Sequence, residues 1–168
     1  MKKLDNNYAF IDSQNLNLSI LRIGWQLDFA RFRIYLKEKY SVSKAFLFLG
    51  HIQANAGLYR RLEEDGYILI YKKVLSYKDG TVKGNVDAEL ILQSILEYHN
   101  YNKAVVVTGD GDFKCLVEYL ISRNNLECLI VPDKFSFSAL FKADEFKTYL
   151  RYMNDLEQKL SLYKEKAL

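Results

Sequence analysis

Cysteine is scarce in this chain of 168 residues, with only Cys115 and Cys128 present. Neither belongs to a CxxC or a Cys/His cluster, which excludes a structural zinc site. Two lone thiols fit a reducing compartment. Proline occurs once, as Pro132, and charged residues make up 27% of the chain, a composition that excludes wholesale disorder. No apolar run is long enough to span a membrane. The opening segment MKKLDNNYAFID is too polar for a signal peptide. A cytoplasmic protein with no membrane partner is therefore expected. Catalytic signatures are missing as well. No GxGxxG, GxSxG or GxxxxGK followed by Ser or Thr occurs, so the usual nucleotide cradles and the nucleophile elbow are absent. His51 and His99 stand isolated, and no Cys/His nucleophile is indicated. Excess charge is small too: the net charge of +3 is only a weak lean toward anionic partners.

Hydrophobic residues, by contrast, make up 49% of the chain. That is enough for a sizeable core, and the length suits one domain. Four runs read as strands buried on both faces: YAFID (8–12), KAFLFLG (44–50), KAVVVTG (103–109) and ECLIVP (127–132). A fifth, YILIYKKV (67–74), is more amphipathic and belongs nearer a sheet edge. Helical periodicity covers 27–40, 55–66, 85–100 and 112–125, with Asn55 as a cap candidate and Gly66 as a stop. A last amphipathic pattern over 148–167 predicts a helix, with Leu150, Met153, Leu156, Leu160 and Tyr163 on one stripe. That stripe packs on the body or forms a homodimer contact. Strand and helix alternate throughout, so the fold class is α/β with a mainly parallel sheet. The segment 75–84, LSYKDGTVKG, is the one long polar loop.

In parallel α/β sheets, sites gather at the carboxyl ends of the strands. One such end supplies Asp12, followed by Asn15; another supplies Asp110 and Asp112, with Gly109 and Gly111 flanking the first. On the helix over 85–100, Glu89, Gln93 and Glu97 fall together at roughly 200–280° from Asp87, on the expected solvated stripe. Asp87 lies outside that stripe, one turn before residues that pack on the sheet. Each acid has an ordinary explanation as a cap or a turn residue. Together they are four carboxylates from three elements directed to one edge. Their mutual repulsion calls for a cation, and hard oxygen ligands suit Mg²⁺ or Mn²⁺. Two other acid motifs fail. Lys114 stands where an EF-hand loop needs Asp or Asn, and Ser13 and Gln14 follow Asp12 where a haloacid-type phosphatase needs a second Asp.

FIDSQNL (10–16), KGNVDAEL (83–90) and VVVTGDGDFKCLVEYL (105–120) resemble the NYN domain family, in its LabA-like branch of the PIN-like nucleases. SALFKADEF (138–146) is similar to the family's closing element. The resemblance covers roughly residues 8–150. It implies a PIN-like three-layer α/β/α sandwich over residues 1–150, with 151–168 left as the C-terminal helix. It also implies a metal-dependent ribonuclease, endonucleolytic, acting on single-stranded or structured RNA. Asp12, Asp87, Asp110 and Asp112 would be the catalytic residues and the ligands of Mg²⁺ or Mn²⁺. Asn15, Lys83 and Thr108 would contact substrate. Arg22, Lys78 and Lys114 would hold the backbone, with Trp25 or Tyr77 as stacking surfaces. Two alternatives stand beside this reading. One is a non-catalytic RNA-binding or protein-interaction module of the same fold. The other is a metal-dependent nuclease or phosphohydrolase acting on DNA.

Overall fold

Six strands form one all-parallel sheet in the computed structural model, which describes residues 5–51, 55–73, 75–76, 82–83 and 85–162, the side chains of 51, 73, 75, 76, 82 and 83 excepted. In chain order the main elements are β1 (Asn7–Asp12), α1 (Ser13–Arg22), α2 (Phe29–Tyr40), β2 (Val42–His51), α3 (Ala56–Glu64) and β3 (Tyr67–Lys73). A two-residue antiparallel pair follows, β4 (Leu75–Ser76) with β5 (Val82–Lys83). The rest are α4 (Asp87–Leu96), β6 (Ala104–Val107), α5 (Lys114–Ser122), β7 (Leu126–Val131), β8 (Leu150–Tyr152) and the short α6 (Glu157–Leu160). The strand order is β3-β2-β1-β6-β7-β8. The chain winds outward from β1 to β3, then crosses back to place β6 on the other side of β1. The order therefore reverses between β1 and β6, which is where a doubly wound sheet opens a crevice for ligands.

Alternation along the strands divides the core in two. Ala9, Ile11, Ala45, Leu47, Val105, Val107, Cys128 and Ile130 face α1, α2 and α3. Tyr8, Phe10, Phe46, Phe48, Val106, Leu129 and Val131 face α4 and α5. Strands apolar at both parities must be covered on both sides, and the three-layer sandwich follows. Phe10 and Phe46, partners across β1 and β2, stack with ring centroids 5.5 Å apart. Burial pushes the Cys128 thiol up to about 12, so it packs as a small hydrophobe and is no thiolate.

The expected edge strand at 67–74 is β3, at one end of the sheet. The helix α1 was not apparent in the sequence pattern: its first turn, Ser-Gln-Asn-Leu, is weakly apolar. The helix over 55–66 is α3, which ends before Gly66 at φ +93°, though Asn55 makes no side-chain cap bond.

Two expectations change. The continuous helix over 148–167 is not formed: residues 150–152 make β8, residues 154–156 a single 3-10 turn, and α6 spans only four residues. The open edge of β7 has backbone groups to satisfy, and pairing with them outweighs a helical periodicity. Leu129 N donates to Tyr149 O at 2.9 Å and Met153 N to Val131 O at 3.1 Å. Met153 and Leu160 still reach the core; Tyr163 lies outside the described residues. The second change is on α4. Glu89 and Gln93 are half-buried, Glu89 pairing with Lys72 of β3 at 3.1 Å. The most exposed face carries Leu92, Ile95 and Leu96 instead.

Candidate metal centre

Asp12 ends β1 and caps α1. One carboxylate oxygen accepts from Asn15 N at 3.1 Å and the other from Thr108 Oγ1 at 3.2 Å. The residue is only 6% exposed. Burial is the main cause that lifts its pKa from the ordinary 3.8 to about 6; the two hydrogen bonds oppose the shift, and the charges of Asp87 and Asp110 add to it.

The neighbouring strand end is tied to this one. Thr108, fully buried beyond β6, donates to Asp12 and accepts from Asp110 N at 3.1 Å. Gly109 N donates to Asn15 Oδ1 at 2.8 Å. Asp110 then caps the 3-10 turn 111–113 by accepting from Asp112 N at 3.0 Å. The cap is therefore Asp110, and Asp112 caps nothing: α5 begins from Phe113 with no side-chain cap bond. The flanking glycines answer a need for space rather than for left-handed backbone, since neither has a positive φ. A Cβ on Gly109 would lie 3.2 Å from Phe137 Cβ, and one on Gly111 would overlap Ser138 Oγ.

Asp87 arrives as the first residue of α4, which covers the same face of the sheet as α5. Asn85 holds it twice: Asn85 Nδ2 donates to its carboxylate at 2.8 Å, and its own N–H donates to Asn85 Oδ1 at 2.8 Å. Burial first, then the charges of Asp110 and Asp112, raise the Asp87 pKa against the Asn85 bond and Lys72. The outcome is that Asp87, Asp110 and Asp112 each bring a carboxylate oxygen to within 4.8 Å of the others. Among the described residues, no lysine or arginine forms an ion pair with any of the three. Three hard, anionic oxygens without a cationic side chain are a donor set that fits a divalent metal. Asp12 stands beside them, coupled to Asp87 and Asp110 through its charge. An open cleft of about 1200 Å³ leads from Asp12, Asp87 and Asp110 along α1 to Arg22, and past Tyr59 and Arg61 of α3.

The model of the NYN domain family matches residues 8–150. The chain belongs to the NYN domain family. NYN domains are generally nucleases, within the PIN-like superfamily. The fold of this NYN domain is shared by a crystallised protein of unknown function from Vibrio parahaemolyticus. The two are 20% identical, with a TM-score of 0.78 over 96% of this chain and 99% of the other. No curated protein matches the chain. No helix among the described residues is long and apolar enough to cross a membrane.

Around the acids, the expected contacts sort unevenly. Asn15 lines the cleft, but its Oδ1 is spent on Gly109 N, so its amide NH₂ is what it can offer a phosphate. Thr108 does not meet substrate directly: it is fully buried, and its hydroxyl holds Asp12 and the Asp110 backbone. Trp25 is 7% exposed and belongs to the core, so it offers no stacking face. Arg22 is exposed and bonds Ser136 Oγ at 3.1 Å. Lys114 pairs with Glu118 at 2.7 Å. The backbone of Lys83 pairs with Leu75 in the short ribbon before Asp87; its side chain, like Tyr77, Lys78 and the side chain of His51, lies outside the described residues. Asn85 escaped sequence reasoning, although its place two residues before Asp87 at a helix start was a signal for an Asx turn.

Proposed function

We propose that this NYN domain is a metal-dependent endoribonuclease. The observation that carries the reading is the convergence of the Asp87, Asp110 and Asp112 carboxylates from two separate elements, with no cationic side chain paired to them among the described residues. These three would hold Mg²⁺ or Mn²⁺, with Asp12 as the fourth acid of the set. When bound, the metal would lower the pKa of a water and neutralise charge on the scissile phosphate. Asp12 accepts one hydrogen bond on each oxygen, and each oxygen keeps a further lone pair for a ligand or a proton. Its raised pKa, about 6, suits the acceptance of a proton near neutral pH. Thr108 positions Asp12 relative to Asp110, and Asn85 positions Asp87. The Asn15 amide would donate to a phosphate oxygen.

The test compares labelled single-stranded RNA with DNA of the same sequence, in Mn²⁺, Mg²⁺ or EDTA, for the native protein and Asp110→Asn. RNA cleavage that needs the metal and falls by about 100-fold or more in the variant is expected. Cleavage that persists in EDTA or without Asp110 would sink the metal mechanism. Faster cutting of DNA would move the substrate to DNA.

A further inference from the structure

We infer that Phe135 is a base-stacking platform that makes this domain selective for unpaired nucleic acid; the inference rests on the nuclease reading above. Its loop, 132–138, leaves the carboxyl end of β7, the neighbour of β6 and hence of the acidic turn. The loop is fastened on every side. Buried Asp133 accepts from Phe135 N at 2.9 Å, and Asn154 Oδ1 accepts from Lys134 N at 2.8 Å. Arg22 reaches Ser136 from α1, and Ser138 N donates to Gly109 O at 2.9 Å, one residue from Asp110. Phe137 turns inward, joins the core cluster on the α4–α5 side and meets Tyr152.

On this held backbone the Phe135 side chain is nonetheless 80% exposed, the most exposed of the large hydrophobic residues described. Leaving a phenylalanine in water forgoes the favourable burial open to its neighbours, and a fixed loop cannot fold it away. The surroundings match a nucleotide. Lys134 Nζ, which meets the exposed Asp155 at a long 3.8 Å, stands 5.2 Å from the Phe135 ring centroid, Lys142 Nζ 5.5 Å from that of Phe137, and Arg22 lies across the loop. An aromatic face for a base, with cations beside it for the phosphates, is how single strands are held. A duplex hides its base faces, so the platform recognises unpaired segments alone.

The experiment measures binding of a labelled single-stranded RNA 12-mer, and of the same RNA as a duplex, to Asp110→Asn protein with and without Phe135→Ala or Phe135→Trp. Phe135→Ala should weaken single-strand binding by roughly 5- to 100-fold, leave duplex binding unchanged, and be rescued by Phe135→Trp. Lys134→Gln should lower the slope of log affinity against log salt by about 0.7. Exposure of Phe135 means that its loss should not perturb folding, which a melting curve verifies. Single-strand binding unaffected by Phe135→Ala overturns the platform and leaves the nuclease reading intact. Binding that depends on Phe135, together with a native protein that cuts neither RNA nor DNA in Mn²⁺ or Mg²⁺, upholds the platform and overturns the nuclease reading. Absence of single-strand binding overturns the platform, and the cleavage assay on the native protein still decides the nuclease reading.

Discussion

Asp12 is ionised at neutral pH at a cost. Its folded pKa of about 6 exceeds the ordinary 3.8, so the native state binds the proton more tightly than the unfolded chain does. The stability this contributes is fully present below about 3.8 and is lost as pH rises through about 6. The full shift corresponds to roughly 3 kcal/mol. Asp12→Asn should therefore raise unfolding stability by about 1–3 kcal/mol at pH 8 and by little at pH 4, while abolishing cleavage; urea titrations at the two pH values measure it. An acid kept where it destabilises the fold is explained by a task other than folding. At Gly111 the constraint is space. Gly111→Ala must displace Ser138 and Leu140, whose Cδ1 would stand 2.9 Å from the new carbon. A loss of about 1–3 kcal/mol in thermal unfolding is expected, with lower activity because the acidic turn moves.

At the scale of elements, the site depends on helix starts. Asn85 satisfies an orphan N–H of α4 and grips the Asp87 carboxylate in one motif. Asn85→Ala should cost about 1 kcal/mol. Its bond also favours the ionised Asp87, so removing it should raise that pKa and move the acidic limb of the pH–rate profile to higher pH. A structural role alone would not shift that limb. Much of this was legible in the residues: acids at two strand ends and one at a helix start predicted the edge on which they gather. Three features were not. Which aspartate caps which turn depends on the local backbone, and Asp110 rather than Asp112 took the cap. Thr108 reads as a substrate contact at a strand end until the structure buries it against Asp12 and the Asp110 backbone. The pattern over 148–167 spaces apolar residues three and four apart, which suits a helix, and only the unpaired edge of β7 decides for a strand at 150–152.

Across the whole molecule, four acids stand at the switch point of the sheet in a chain whose net charge is +3. Bound only by the folded state, a divalent ion should stabilise the protein by mass action, by about 2.7 kcal/mol at a hundred times its Kd. For a domain of this size each kcal/mol moves Tm by roughly 2–4 °C. Mn²⁺ should therefore raise Tm by several degrees, EDTA should reverse the rise, and the double variant Asp110→Asn, Asp112→Asn should show none. Calorimetry with and without metal checks it.

Local chemistry in the sequence determined the α/β class, five of the six parallel strands and the acids that stand at strand ends and a helix start, because buried strands and helix starts leave short-range patterns. The tertiary structure alone decided three things: that residues 150–152 pair with β7 instead of continuing a helix, that Trp25 is buried, and that Phe135 is left exposed on a loop held to the acidic turn through Ser138. Each is a contact between segments far apart in the chain, and burial at such contacts is set by the packing of layers rather than by neighbours in sequence.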